Sequence, residues 1–263
     1  MTTRQRLDLV LQRRGMARSR AQADLLIGDG LILVNGSLAT KGSRLVAPMD
    51  AIEVLGSSAW HPRGYDKLHG ALQDLGVSVV DKTCLDVGAS TGGFVKALLD
   101  GGAASVVAVD VGTAQLDATL RADARVSVYE QTDIRTFSWP SATPPDLVSV
   151  DVSFVSIQKI ADALRSLSGP TTELLLLIKP QFEVDRQIAS RFKGVIKDLG
   201  IHEEVLTRTL LGLSERGLFC TQLVPSRRKG SKGNQEYFAY AAAQGPQPSP
   251  TAKDLITAVL TRN

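Results

Sequence analysis

The chain has 263 residues, 43% of them hydrophobic and 22% charged, with a formal net charge of +3. This composition belongs to a globular protein and excludes collagen-like, low-complexity and disulfide-scaffold classes. The longest apolar run, LLLLI at 174–178, is far shorter than the ~20 residues a membrane-spanning helix needs, so no membrane partner is expected. The N-terminal stretch MTTRQRLDLVLQRR has no apolar core and does not read as a signal peptide. Cys84 and Cys220 both lie in apolar runs, too few for a disulfide framework or a metal cluster, which predicts a cytoplasmic protein with no bound metal. Residues 1–63 hold nine Lys and Arg against five Asp and Glu, a balance of +4, while the remainder balances at −1. The basic excess therefore belongs to the N-terminal quarter and points to a polyanion partner there.

In chain order, TRQRLDLVLQRRG predicts a short helix with Thr3 as cap, Leu7, Val10 and Leu11 on one face and Gly15 as stop. SRAQADLLIGDG repeats that design, with Ser19 as cap and Gly28 as stop. LILVNGSLAT predicts a hairpin turning at Asn35-Gly36, and AIEVL a closing strand. Residues 1–56 thus read as a small α+β unit and 57–63 (SSAWHPR) as a linker. From 64 to 263 helices and strands alternate: YDKLHGALQDLG, TCLDVG, TGGFVKALLDGG, SVVAVD, TAQLDATLRAD, RVSVYE, PDLVSVD, SFVSIQKIADALRSL and TELLLLIK. A helix near 202–216 and strands near 217–224 and 235–241 follow, with a short terminal helix after a loose 244–250. Such alternation predicts an α/β fold, a mostly parallel doubly wound sheet, with an antiparallel hairpin at one edge.

The chemistry concentrates around CLDVGASTGGFV at 84–95, a buried strand ending in a glycine turn. The turn lacks the Gly-Lys-Ser/Thr of a phosphate-cradling Walker loop, and its glycines, Gly88, Gly92 and Gly93, do not have dinucleotide-fingerprint spacing. Asp86 precedes it, and Asp110 ends the next strand, where an acid accepts hydrogen bonds from a ribose diol. A carboxylate at Asp86 suits a ligand with a cationic end, such as the amino and sulfonium groups of S-adenosylmethionine. A generic strand-to-helix turn with no ligand is the other reading.

The motif DVGASTGGF closely resembles the cofactor loop of FtsJ-type methyltransferases. The chain as a whole resembles the TlyA family through RLDLVLQRRGMARSRAQA, GYDKLHGAL, DVGASTGGF, VDVSFVSI, LIKPQFEV and GNQEYF in that order. That family comprises bacterial ribosomal-RNA 2′-O-methyltransferases also catalogued as haemolysins. The resemblance implies an S4-type RNA-binding domain followed by a Rossmann-like methyltransferase domain. It further implies S-adenosylmethionine as cofactor, held by Asp86, Gly88, Ala89, Ser90, Thr91, Gly92, Gly93, Phe94 and Asp110. Asp133 stands either as a partner of the adenine amino group or as a plain turn aspartate.

The resemblance also implies a Lys-Asp-Lys-Glu set, which falls on Lys67, Asp151, Lys179 and Glu236. A ribose hydroxyl is a poor nucleophile until its proton is drawn off, and a lysine can do so when its environment lowers its pKa. Asp151 and Lys179 end apolar strands, where open α/β sheets bind ligands. Lys179 reads as the base, Lys67 as the cation depressing its pKa, Asp151 as its holder and Glu236 as the orienting acid. Phe154 and Phe182 read first as core residues, with stacking on a flipped base as the alternative.

For substrate, Arg4, Arg6, Arg13, Arg14, Arg18 and Arg20 sit in or between helices too short to bury them, and suit phosphate contact. Arg227, Arg228, Lys229 and Lys232 add positive charge beside Glu236. Ribosomal RNA within ribosomal subunits, with cytidine as target, is the implied partner of a monomeric enzyme. Two segments depart from the family pattern. The linker reads Ser58-Ala59-Trp60-His61 in place of Arg-x-Trp-Val, and DRQIASRFKGVIKD after KPQFEV carries one glycine where relatives are glycine-rich, which predicts a differently shaped lid. A non-catalytic RNA-binding assembly factor and a membrane-active haemolysin are the competing functions. The four catalytic candidates disfavour the first, and the lack of a spanning or aromatic-anchored amphipathic segment the second.

Overall fold

The structure, a computed structural model, describes residues 4–17, 19–28, 30–54, 63–192, 194–230, 232–244 and 250–261. Thr3, Arg18, the linker positions 57–62 and most of 244–250 lie outside the described residues. The N-terminal unit runs β1 (Gln5–Arg6), α1 (Leu7–Arg13), α2 (Arg20–Gly28), β2 (Ile32–Val34), β3 (Ser37–Leu38), β4 (Leu45–Val46) and β5 (Ile52–Val54). Helical spacing turns Leu7, Val10 and Leu11 of α1 toward Ala23 and Ile27 of α2, and all pack on Ile32, Val34 and Ile52 in a small core. β2 pairs antiparallel with β3 and β5, and the turn at Asn35 and Gly36 falls where the sequence places it. Ser19 caps α2 by accepting from the Gln22 amide at 3.1 Å. The left-handed stop after α2 falls at Gly30 (φ 75°), not at Gly28, which ends the helix itself.

The larger unit comprises α3 (Arg63–Leu75), β6 (Thr83–Val87), α4 (Gly93–Asp100), β7 (Ser105–Val109), α5 (Ala118–Ala122), β8 (Val126–Tyr129) and β9 (Leu147–Val150). It continues with α6 (Ala161–Leu167), β10 (Glu173–Ile178), α7 (Pro180–Glu183), α8 (Arg186–Arg191), α9 (Leu199–Glu215), β11 (Phe219–Pro225), β12 (Tyr237–Ala242) and α10 (Ala252–Leu260). Seven strands form one sheet in the order β11-β12-β10-β9-β6-β7-β8. The pairs among β6 to β10 are parallel, and β12 runs antiparallel to both β10 and β11. The expected edge hairpin therefore forms with its second strand inserted between β10 and its first strand.

Both faces of this sheet are covered, so its central strands read as unbroken apolar runs. Along β10, Leu174, Leu176 and Ile178 enter a core closed by α6, α9 and α10, while Leu175 and Leu177 enter one closed by α3, α4 and α5. Leu26 of α2 packs against both the N-terminal core and the second of these, and Gln22 Nε2 donates to the Ala114 carbonyl at 3.2 Å. Two expected helices are shorter than their sequence pattern. α5 starts only where Asp117 accepts from the Thr119 amide, and the stretch after β9 opens with Phe154 at φ 65°, then a 3-10 turn over Ile157–Lys159, before α6.

Candidate active site

Strand order reverses between β6 and β9, and open α/β sheets bind ligands outside the carboxyl ends of strands at such a switch point. A cavity of about 810 Å³ lies there, within the range of small-molecule sites. Its walls come from Gly88–Thr91, Gly93 and Phe94 after β6, Asp151 and Ser153–Ser156 after β9, and Lys179 and Gln181–Asp185 after β10, with Lys67, Lys229, Lys232, Asn234 and Glu236. Asp24, Leu25 and Gly28 of α2 complete it. The glycine turn must come close to the neighbouring strand end: a Cβ on Gly88 (φ 86°) would stand 2.6 Å from the Asp151 carbonyl oxygen. A Cβ on Gly93 would stand 2.8 Å from Gly64 Cα, so glycine at both positions lets α4 and α3 touch.

Four charged side chains form two ion pairs in this cavity. Lys67 Nζ lies 2.7 Å from Glu236 Oε2, both buried. Lys179 Nζ lies 2.5 Å from Asp151 Oδ1 and donates to Ser153 Oγ at 2.9 Å. Gln181 Nε2 donates to the other Glu236 oxygen at 2.9 Å, which ties the two sides together. Burial pushes the Asp151 carboxyl up, but Lys179 and Lys67 outweigh it and hold the group below its ordinary value. Lys67 is thus matched to Glu236, the acid that the sequence reading gives as orienting the lysines or the ribose. Ser153, Gln181, Asn234 and Lys159 also line the cavity and had no sequence signal beyond their closeness to the motifs.

Asp86 is fully buried beneath the turn and does not line the cavity. Ser149 Oγ donates to its Oδ1 at 2.7 Å, and Oδ2 has no partner. Burial raises this carboxyl to about 8, and it lies beneath the turn instead of facing the cavity, where the sequence reading places a countercharge for the cofactor. Asp110 accepts from the Ser90 amide at 2.8 Å and the Gly112 amide at 2.6 Å, pinning the turn from the next strand, and exposed Val111 follows it. Asp133 pairs with Arg135 at 2.5 Å and accepts its amide, which lowers the carboxyl to about 2, and it too lies away from the cavity. Phe154 is 91% exposed at the mouth, its ring centroid 5.0 Å from that of Phe182, which overturns its expected core role. Phe182 in turn lies beneath Lys179 Nζ at 5.8 Å.

The basic residues divide by what they touch. Asp8, fully buried, binds Arg6 at 2.7 Å and Arg20 at 3.0 Å, and the Arg6 guanidinium helps hold its carboxyl at about 2. Arg13 donates to Gln5 Oε1 at 2.6 Å, whereas Arg14 is spent on the carbonyls of Pro48 and Asp50. Arg4 is exposed. In the β11–β12 loop, Arg227 binds Asp74 at 2.6 Å and Arg228 binds Asp66 at 2.8 Å, both on α3, while Lys229 and Lys232 line the cavity.

A switch-point cavity in a seven-stranded sheet of this order, with a glycine turn at one wall and paired lysines at the other, defines a Rossmann-like methyltransferase domain. Comparison agrees: residues 60–243 match the FtsJ-like methyltransferase family, and residues 5–52 match the S4 domain. The chain is 40% identical over 249 residues to the 16S/23S rRNA (cytidine-2′-O)-methyltransferase TlyA of Mycobacterium tuberculosis, covering 93% of this chain and 92% of that one. It is 38% identical over 238 residues to Hemolysin A of Brachyspira hyodysenteriae, covering 89% and 98%. A solved structure from Streptococcus thermophilus superposes with a TM-score of 0.73 at 30% identity, covering 99% and 97%. The chain belongs to the TlyA family of FtsJ-like methyltransferases. Among the described residues, no helix is long and apolar enough to cross a membrane.

Proposed function

We propose that this protein is an S-adenosylmethionine-dependent methyltransferase that modifies the 2′-hydroxyl of a cytidine ribose in ribosomal RNA. The observation that carries this reading is the convergence of two lysine–carboxylate pairs, Lys67–Glu236 and Lys179–Asp151, on one cavity beside the glycine turn. The turn fits the cofactor, because a side chain at Gly88 would fill the cradle against Asp151. Gly88, Ala89, Ser90, Thr91, Gly92, Gly93 and Phe94 would hold it, with Asp110, whose carboxylate has lone pairs left for a ribose diol beyond its two amide bonds. S-adenosylmethionine supplies the electrophilic methyl group. Asp86 supports the turn as a neutral group, and the engagement of Asp133 with Arg135 favours its role in the turn.

Lys179 is the base. Asp151 and Ser153 hold its Nζ at the cavity, where it takes the proton of the ribose hydroxyl. Asp151 fixes that orientation and then stabilises the ammonium it becomes. Lys67 and Glu236, braced by Gln181, position the ribose. Arg4, Arg6, Arg13 and Arg20 on the S4 unit, with Lys229 and Lys232 at the cavity, receive backbone phosphates. The family relationship and the S4 match support an RNA substrate and a ribosomal setting.

Transfer of label from S-adenosylmethionine to unmodified ribosomal subunits tests the reading. Label in alkali-resistant dinucleotides, absent with Lys179→Ala, is the expected result. RNA binding without transfer by the wild-type protein sinks it.

A further inference from the structure

The stretch after the KPQFE motif forms one wall of the cavity through Val184, Asp185, Ala189 and Gly194. Among the described residues, this wall has no sheet pairing to hold it. Its end, Gly194–Ile196, is held by two local backbone bonds, Gly194 to Ala189 and Val195 to Phe192, and by side chains. Asn234 is 3% exposed, and its carboxamide spans the segment: Nδ2 donates to the Gly194 carbonyl at 2.7 Å, and Oδ1 accepts from the Ile196 amide at 2.9 Å. The two backbone groups differ in kind, so they fix the orientation of the amide. Asn234 also accepts from the Gly230 amide through its own carbonyl at 2.9 Å and stands two residues before Glu236.

A second peg sits behind it. His202 of α9, 2% exposed, places Nε2 3.1 Å from the Ile196 carbonyl and Nδ1 2.6 Å from the Tyr237 hydroxyl. A carbonyl only accepts, so Nε2 carries the hydrogen, and in the neutral ring Nδ1 accepts from Tyr237. Tyr237 is the residue after Glu236. Both pegs are therefore rooted on either side of the acid that binds Lys67. Three hydrogen bonds, the two at Ile196 buried, replace the ladder that a strand would have supplied, and a fourth to Tyr237 braces His202. A group left unmade at Ile196 would be a buried unsatisfied one.

We propose that Asn234 and His202 form a latch that closes the 185–196 wall onto the chain around Glu236, with Asn234 as a positioning residue for Glu236. The cofactor turn forms a different wall of the cavity, so the latch acts on the rate of the bound complex and not on cofactor affinity. The rate arm of its test rests on the methyl-transfer reading, and the exchange arm does not.

The test is amide hydrogen exchange over 185–196 in the full chain, with kcat, KM for RNA, S-adenosylhomocysteine affinity and melting temperature, for Asn234→Ala, Asn234→Asp and Tyr237→Phe. Asn234→Ala is expected to speed exchange in this stretch and lower kcat about ten-fold, since small misplacements near reacting atoms have large rate effects. S-adenosylhomocysteine affinity should stay within about three-fold while kcat falls, a split that global loosening does not give. Asn234→Asp keeps the acceptor but turns an anion to the Gly194 carbonyl, and should behave like Asn234→Ala. Tyr237→Phe keeps the ring and removes the hydroxyl, and should raise exchange at 194–196 even if Asn234→Ala does not fold. Wild-type exchange in the folded variants overturns the latch. Faster exchange with unchanged kcat overturns the positioning role. A wild-type protein without transferase activity whose Asn234→Ala variant still exchanges faster keeps the latch and refutes the methyl-transfer reading instead.

Discussion

Lys67 and Glu236 stand 169 residues apart in the chain, yet Nζ and Oε2 meet at 2.7 Å with both side chains buried. A pair in that setting is strongly asymmetric: its net contribution is small, but removing one partner strands the other. Lys67→Met alone is expected to destabilise the fold by about 3–5 kcal/mol. Adding Glu236→Leu should restore most of that stability and none of the methyl transfer, because both groups are then apolar. Urea unfolding of the single and double variants, beside a transfer assay, checks this. Equal stability of the two variants sinks it.

The four cations of the β11–β12 loop should separate in their effects. Arg227 and Arg228 lie on the carboxylates of α3, and exposed pairs of this kind contribute about 1 kcal/mol or less. Lys229 and Lys232 face the cavity. Lys229→Ala and Lys232→Ala should each raise KM for RNA and reduce the salt slope of binding by about 1, the signature of one lost phosphate contact. Arg227→Ala should leave that slope unchanged. A slope reduced equally by Arg227→Ala shows that the arginine leaves Asp74 for the RNA.

The sheet was legible because its strands are buried on both faces, so runs such as LLLLI stand out, and the switch point follows from their order. Lys179 and Asp151 came from the family resemblance, and the structure places both at the ends of apolar strands and in the cavity. The partners of Arg227 and Arg228 were not, since Asp74 and Asp66 lie 153 and 162 residues away. His202 gave no signal either, and Asn234 none beyond lying in GNQEYF, because the backbone groups they hold could be offered by any residue. Asp86 was seen as an acid, but its charge depends on burial under a sheet centre, which sequence does not state. Phe154 failed differently: an apolar letter in a helical pattern predicts core, and only its left-handed backbone turns it outward.

Asp86 makes a pH prediction of definite sign. Burial raises its native carboxyl to about 8, while in the unfolded chain it titrates near its ordinary value of about 3.9. Between those values the native state holds a proton that the unfolded state has lost, so stability falls as pH rises from about 4 to about 8, by up to about 1.4 kcal/mol per unit. Asp86→Asn keeps an acceptor for Ser149 and cannot ionise. The difference in unfolding free energy between wild type and variant should therefore shift steadily in favour of the variant across that window, then level off above pH 8. A difference independent of pH shows that Asp86 is ionised in the native state.

Phe154 combines two features that rarely meet without a purpose: a side chain 91% exposed and a backbone at φ 65°. Exposure means that removing the ring loses little buried area, and the left-handed region costs a non-glycine residue about 1–2 kcal/mol. Replacement by glycine relieves that strain and replacement by alanine does not, so Phe154→Gly should be more stable than Phe154→Ala by roughly 1 kcal/mol, against the usual order of the two. Both should lose transferase activity, with kcat/KM for RNA down by about ten-fold or more. A base stacked on an aromatic ring contributes about 1–3 kcal/mol, and Phe154 with Phe182 offers such a platform at the cavity mouth. Phe154→Trp should retain most of the activity, because stacking asks for a flat face more than for a given ring. Thermal melts of the three variants together with steady-state kinetics read both halves. Full activity in Phe154→Gly removes the stacking role and leaves the strained backbone without a functional reason.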